Sequence, residues 1–222
     1  MQQILTDIYD RLFHAFGPQN WWPAESPFEV VVGAILTQNT NWSNVEKAIA
    51  NLRTANALTV PGVSETSKTE LEGLIRPSGF FRQKAERLRH FVRFLEHDFD
   101  GDLNQLFALP MEQLRQTLLA QPGIGPETAD SIILYAAGKA SFVVDAYTHR
   151  IFERLGMEPA NTKYEQTRAC FMEALPSDVE LYNEYHALIV RHAKEYCRKR
   201  NPVCPACPLL NLCRLGKNNG RD

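Results

Sequence analysis

Four thiols stand close together near the end of the chain: Cys197, Cys204, Cys207 and Cys213, spaced by six, two and five residues, with Pro202, Pro205 and Pro208 shaping the loop. Four closely placed thiolates are a ligand set for a soft metal centre. Zinc held by four cysteines and a [4Fe-4S] cluster both use such sets, and the spacing alone leaves both open. A second candidate is the turn Gln121-Pro122-Gly123-Ile124-Gly125. Glycines two apart can take backbone angles closed to other residues and let main-chain N–H groups converge at the start of the next helix. The helix dipole there also favours an anion such as a phosphate. A third is Asp145, a carboxylate that follows three apolar residues in SFVVDAY, where burial or a helix N-terminus could tune its ionisation. Its ordinary alternative is an N-cap for a helix beginning near Tyr147.

Helices must position these groups. FEVVVGAILTQ, VEKAIANL, KAERLRHFVRFLEHDF, MEQLRQTLLAQ, TADSIILYAAG, HRIFERLG and EYHALIVRHAKEYC all place apolar residues three and four apart. The chain is predicted to be all-α. Pro23, Pro27, Pro61-Gly62, Pro77-Ser78-Gly79, Pro110, Pro122-Gly123, Gly156 and Pro176 punctuate the helices. Residues 141–147 break the helical spacing and read as a short extended connector. Ile124 is expected to tuck back between the two helices of the glycine turn. Cys170, on an amphipathic segment, reads as a buried apolar side chain rather than a fifth ligand. No tandem repeat and no low-complexity linker is present, so any second domain shares an interface with the first.

Composition sets the outer bounds. The chain has 222 residues, 44% hydrophobic and 23% charged, which is ordinary for a globular protein of one or two domains. It has no apolar run near the ~20 residues of a membrane span, and Asp7 and Asp10 stand where a secretory signal carries lysines. Five cysteines, four of them clustered, argue against a disulfide framework and for a reducing compartment, so a cytoplasmic protein is expected, by default a monomer. The net charge is −2, yet from Arg191 onward eight basic residues, Arg191, Lys194, Arg198, Lys199, Arg200, Arg214, Lys217 and Arg221, face only Glu195 and Asp222. Such a basic end fits a polyanion or a solvated tail.

LAQPGIGPETADSIILYAAG followed by VVDAYTHRIFERLG resembles the helix-hairpin-helix and aspartate signature of the endonuclease III superfamily of DNA base-excision glycosylases. The resemblance implies a two-lobed helix-hairpin-helix fold with double-stranded DNA carrying damaged bases as partner. Gly123 and Gly125 match the glycines that grip the DNA backbone, Asp145 the aspartate that acts at the sugar, and Arg150 an arginine in the helix beyond. The cysteine spacing resembles the family's C-terminal iron-sulfur loop. It implies a [4Fe-4S] cluster on Cys197, Cys204, Cys207 and Cys213, structural in role. Arg198, Lys199 and Arg200, inside the first cysteine loop, would then be held for phosphate contact. The implied lobes are residues 24–141, and residues 1–23 with 142–222.

Bifunctional members carry a lysine two residues past the last hairpin glycine, which forms a Schiff base with the sugar. Here that position is Glu127, and a carboxylate forms no imine. Lys84 and Lys139 do not match the motif. A monofunctional enzyme is expected, with Asp145 stabilising the oxocarbenium ion and orienting or deprotonating water. One carboxylate suffices where the leaving base already carries positive charge, as in purines alkylated on a ring nitrogen. WWP, FEVVVGAILTQNTNW, GIGPETADSIILYA and VVDAY look like the 3-methyladenine glycosylase branch, which implies that Trp21, Trp22 and Trp42 line a flipped-base pocket. The best-known member of that branch lacks the cysteine cluster that this chain has. Gln38 matches the glutamine that enters the vacated space, and Phe80 the residue that wedges into the opposite strand. The rival readings are a bifunctional endonuclease III acting on oxidised pyrimidines, a mismatch glycosylase, and a non-catalytic damage-binding module.

Overall fold

The computed structural model describes residues 1–159 and 161–219, so Arg221 and Asp222 of the basic end lie outside the described residues. Among these residues the secondary structure is entirely helical, with no strand, in agreement with the periodicity of the sequence. The chain divides into two compact units, Trp22–Lys139, and Met1–Trp21 together with Ala140–Asp222.

The unit Trp22–Lys139 is built on α2 (Pro27–Leu36), whose residues from Phe28 to Leu36 are all buried. Pro27 starts this helix, where its missing N–H is no loss, and the Ser26 side chain caps it by accepting from the Glu29 N–H at 3.2 Å. Around it stand α3 (Trp42–Thr54), α4 (Val60–Glu65), α5 (Lys68–Leu74), α6 (Phe81–Phe99), α7 (Leu103–Phe107), α8 (Met111–Leu119) and α9 (Pro126–Ser131). The predicted helix TADSIILYAAG widens after α9 into a π-helical stretch, Ile132–Ala136. Periodicity at 3.6 residues does not anticipate that turn. Three consecutive residues there, Ile132, Ile133 and Leu134, are all buried, more than one face of an α-helix carries inward.

A buried amine ties two ends of this unit together. Lys84 is 1% exposed, and its ammonium donates to the Leu36 carbonyl at 2.8 Å and the Ser78 carbonyl at 2.7 Å. It thereby caps the C-terminus of α2 and holds the turn that precedes Phe80. Burial, and then the nearby Arg87, pull its pKa from 10.5 down to about 8. Between pH 8 and 10.5 the unfolded chain therefore binds more protons at this residue than the folded one, and its contribution to stability rises with pH. In urea unfolding at pH 7.5 and 9.5, the stability of wild type relative to Lys84→Met is expected to be greater at the higher pH. A pH-independent difference would show that the amine is not held in this state.

The other unit contains α1 (Gln2–Phe16), α10 (Ala146–Leu155), α11 (Tyr164–Ala174), α12 (Val179–Glu195) and α13 (Arg214–Asn219). Helix α12 packs against α1 and α10. Its Tyr182, Tyr185, Leu188 and Ile189 are buried with Leu5, Ile8 and Leu12 of α1, and the Tyr185 hydroxyl donates to the Leu5 carbonyl at 2.8 Å. The extended connector before α10 runs through this core. Phe142 stacks on Phe171 with centroids 4.0 Å apart, and Val143 and Val144 are buried beside it. These anchors fix where Asp145 emerges.

Candidate functional site

Asp145 is the N-cap of α10. Its Oδ1 accepts from the Tyr147 N–H at 2.9 Å, the Thr148 N–H at 2.8 Å and the Thr148 hydroxyl at 2.9 Å, while the Asp145 N–H donates back to the Thr148 hydroxyl, closing a capping box. The other oxygen, Oδ2, lies 3.6 Å from Nε2 of His186 on α12. The carboxylate side chain is 13% exposed. Burial alone would push its pKa up, but the hydrogen bond and charge of His186 and the Thr148 donors outweigh it and hold the group below its ordinary value. The capping role and an ionised carboxylate thus coexist: one oxygen serves the helix, and the other is not used by it.

His186 is a residue that sequence reasoning passed over. It stands on the apolar face of α12 between Tyr185 and Ile189, where a single histidine reads as core, and no spacing connects it to Asp145. Arg150 of α10, one turn past Asp145, is turned to internal duty: its Nε donates to the Cys197 carbonyl at 2.8 Å and its guanidinium lies 5.0 Å from the Tyr147 ring.

Among the described residues no group of three or more His, Cys, Asp or Glu side chains is arranged to hold a single metal ion. Cys197, Cys204, Cys207 and Cys213 are all free thiols and instead line one cavity of about 20 Å3, whose walls include Ile151, Leu155, Val203 and Leu209. Soft donors in an apolar shell suit a thiolate-bound centre. Three sulfurs have hydrogen-bonding partners: Arg154 donates to Cys197 Sγ at 3.3 Å, the Gly216 N–H to Cys213 Sγ at 3.3 Å, and His192 Nε2 lies 3.2 Å from Cys207 Sγ. Burial pushes the Cys207 thiol up to about 11, so a thiolate there at neutral pH requires a positive centre beside it. Arg154 also donates to the carbonyls of Arg198 at 2.7 Å and Lys199 at 3.2 Å, which holds the backbone of the exposed Arg198–Lys199–Arg200 run. Neither Arg154 nor His192 is marked by the cysteine spacing, because they reach the loop from α10 and α12. Cys170, expected to be buried, is half-buried on α11: the helix turns it toward a small cavity rather than into the core.

In the unit Trp22–Lys139 the glycine turn joins α8 to α9. Ile124 is buried, as its apolar character demands. Gly123 has φ +83°, and a Cβ there would lie 2.5 Å from Nε of Arg87, so both the angle and the packing require glycine. Gly125 departs from expectation. Its φ of −94° and ψ of 178° are open to any residue, and a Cβ would meet nothing within 4 Å. No internal contact explains glycine at 125, which is exposed. Glu127 is exposed in the first turn of α9.

The Gln38 side chain donates to the Gly123 carbonyl at 3.0 Å and the Thr128 hydroxyl at 2.9 Å, and accepts from Arg87. It joins the end of α2 to the glycine turn and α6. Phe80 is 63% exposed at φ +47°, a left-handed conformation that costs a bulky residue energy. Trp22 meets Trp42 edge-on with centroids 5.0 Å apart and Tyr135 at 5.2 Å. Tyr135 is the third ring of this group and went unnoticed in the sequence, where it reads as one more apolar helix position. Trp21 is half-buried and belongs to the other unit.

Residues 32–177 match the HhH-GPD superfamily of base excision DNA repair proteins. A protein of Methanocaldococcus jannaschii named as a DNA repair glycosylase is 46% identical over 213 residues, covering 95% of this chain and 96% of that protein. An endonuclease III in a non-covalent complex with DNA superposes with a TM-score of 0.86 at 25% identity, over 100% of this chain and 99% of that one. The 3-methyladenine DNA glycosylase of H. pylori bound to 1,N6-ethenoadenine superposes with a TM-score of 0.71 at 28% identity, over 86% of this chain and 96% of that one. The match spans the glycine turn, Asp145 and the helices that carry them, and by it the chain belongs to the HhH-GPD superfamily of base excision DNA repair glycosylases.

Proposed function

We propose that this glycosylase is monofunctional and hydrolyses the N-glycosidic bond of bases alkylated on a ring nitrogen in double-stranded DNA. The observation that carries this reading is Asp145, an almost buried carboxylate kept ionised, with one oxygen committed to the α10 cap. A fixed negative charge of this kind stabilises the oxocarbenium ion that forms as the base departs, and it can orient or deprotonate the attacking water. His186 acts behind it by holding the anion in place. Glu127 at the position of the lyase lysine supports hydrolysis over imine chemistry. The likeness to a 3-methyladenine glycosylase supports the alkylated substrate, as does the Trp22–Trp42–Tyr135 group, since a cationic base gains roughly 0.5–2 kcal/mol from an aromatic face.

In this reading the amides at Gly123 and Gly125 and the cations Arg198, Lys199 and Arg200 hold the DNA backbone, Gln38 fills the gap left by the extruded base, and Phe80 wedges the opposite strand. The 63% exposure of Phe80 supports a wedge. Cys197, Cys204, Cys207 and Cys213 would hold a [4Fe-4S] cluster, which supplies a rigid cross-link for the cationic loop. The protein would work as a monomer in the cytoplasm; no helix of the described residues is long and apolar enough to cross a membrane.

The endonuclease III likeness, which covers the whole chain, favours a second reading: a bifunctional glycosylase that nicks the strand. Borohydride trapping on abasic duplex DNA separates the two. Wild type is expected to give no covalent adduct, whereas Glu127→Lys is expected to give one. Release of free base from methylated and from oxidised DNA, measured side by side, tests the substrate. An adduct with wild type, or release from oxidised DNA alone, would overturn the proposal.

A further inference from the structure

Helix α6 carries a second charged face that neither the glycine turn nor the cysteine loop accounts for. Its Ala85, Leu88, Phe91, Val92 and Leu95 are buried, and the opposite face bears Arg87, Arg89, His90 and Arg93. With Lys68 at the start of α5 and with Pro122 and Gly123 of the glycine turn, these side chains line an open groove of about 590 Å3. One acidic residue, Glu86, shares the groove, and its charge is matched by Lys68 at 2.7 Å. The charge is not that of a freely solvated row. Arg87 is bonded to Gln38 and packs over Gly123, and Arg89 donates to the Thr66 carbonyl at 2.7 Å. Cations fixed before binding lose less side-chain entropy on meeting an anion.

We infer that this groove is a phosphate-binding track continuous with the glycine turn, which carries the backbone of the bound duplex along α6 beyond the turn. The inference rests on the DNA-repair reading above and adds to it a surface and a footprint. Six residues separate Arg87 from Arg93, a rise of about 9 Å along the helix. With one phosphate per 3.4 Å of axis on each strand, that length spans two or three nucleotides. The α6 cations of the track fall within one short basic stretch of the sequence, interleaved with Leu88, Phe91 and Val92, which face inward.

The salt dependence of binding to an undamaged duplex of about 30 base pairs tests it, by fluorescence anisotropy between 50 and 200 mM salt. Each lost phosphate contact reduces the slope of log K against log salt by about 0.9 and weakens binding roughly fivefold at 0.15 M. Arg93→Gln, at an exposed position, is expected to reduce the slope by about 0.9, and the double variant Arg89→Gln/Arg93→Gln by about 1.8. Lys47→Gln, exposed on α3, serves as the charge-matched control and is expected to leave the slope unchanged. A slope unaltered by Arg93→Gln, or lowered equally by Lys47→Gln, overturns the track. That failure is distinct from failure of the glycosylase reading, in which wild type would release no base at all.

Discussion

Asp145→Asn is expected to lower base release by about 10^2- to 10^4-fold while leaving affinity for lesion-bearing duplex DNA intact. The carboxamide keeps an oxygen that can accept from the Tyr147 and Thr148 N–H groups, and Asn is as good an N-cap as Asp. What disappears is the negative charge beside His186. Asp145→Ala, in contrast, removes the cap too and is expected to destabilise α10 by about 1 kcal/mol, so the pair of variants separates chemistry from folding. Because the folded carboxylate sits below its ordinary pKa, it contributes stability that is present above the unfolded value of about 3.9 and is lost as pH falls through the folded one. Wild type and Asp145→Asn should therefore converge in stability toward acid. For the same reason the wild-type rate should show no loss from this group on lowering the pH from 7 to 5. An Asn variant with wild-type release would show that the reaction does not use this carboxylate; one that no longer binds DNA would show that its effect is structural.

The helices were legible because burial and periodicity are the same statement on an amphipathic segment. On α6 the buried Ala85, Leu88, Val92 and Leu95 recur at three and four residues, and on α12 Tyr182, Tyr185 and Ile189 do the same. Gly123 was legible for a different reason, since a proline-glycine pair between two helices leaves few backbone solutions. Gly125 was not, because its conformation is ordinary and nothing inside the protein excludes a side chain there. The π-helical turn at Ile132–Ala136 packs against α2 and leaves no local mark in the sequence.

The candidate sites divide along the same line. A spacing of cysteines can be counted, but the groups around the sulfurs, the Arg154 and His192 side chains and the Gly216 backbone amide, come from three segments and are visible only once those segments fold together. His186 reaches Asp145 from a helix 41 positions later, and Lys84 links Leu36 to Ser78 across 48 residues in one direction and 6 in the other. In each case an apolar helix face conceals a polar group whose purpose depends on long-range contacts. On α6 the basic residues Arg87, Arg89, His90 and Arg93 do stand in one short window, but their union with Lys68 and the glycine turn in one groove depends on the fold.

With the proposed [4Fe-4S] cluster in place, Cys204→Ser is expected to abolish its visible absorbance and to release iron, and with it the order of the loop from Cys197 to Cys213. Besides the proposed cluster, a few contacts hold that loop. Leu209 is its buried apolar side chain, its backbone bonds include the Cys207 N–H to the Cys204 carbonyl at 3.0 Å and the Val203 N–H to the Tyr196 carbonyl at 2.9 Å, and Arg150 and Arg154 pin it from α10. The helices of the same unit have their own core around Phe142, Phe171, Tyr182 and Tyr185, so far-ultraviolet circular dichroism should lose little. The loss should appear in DNA binding: Arg198, Lys199 and Arg200 would no longer be held, and the slope of log K against log salt should fall by up to about 2.7, three contacts at 0.9 each. Limited proteolysis should then cut within the loop before it cuts the helices. Stoichiometric zinc and no visible absorbance in the wild-type protein would rule out the cluster, and retention of iron and of the full salt slope by Cys204→Ser would rule out Cys204 as a ligand.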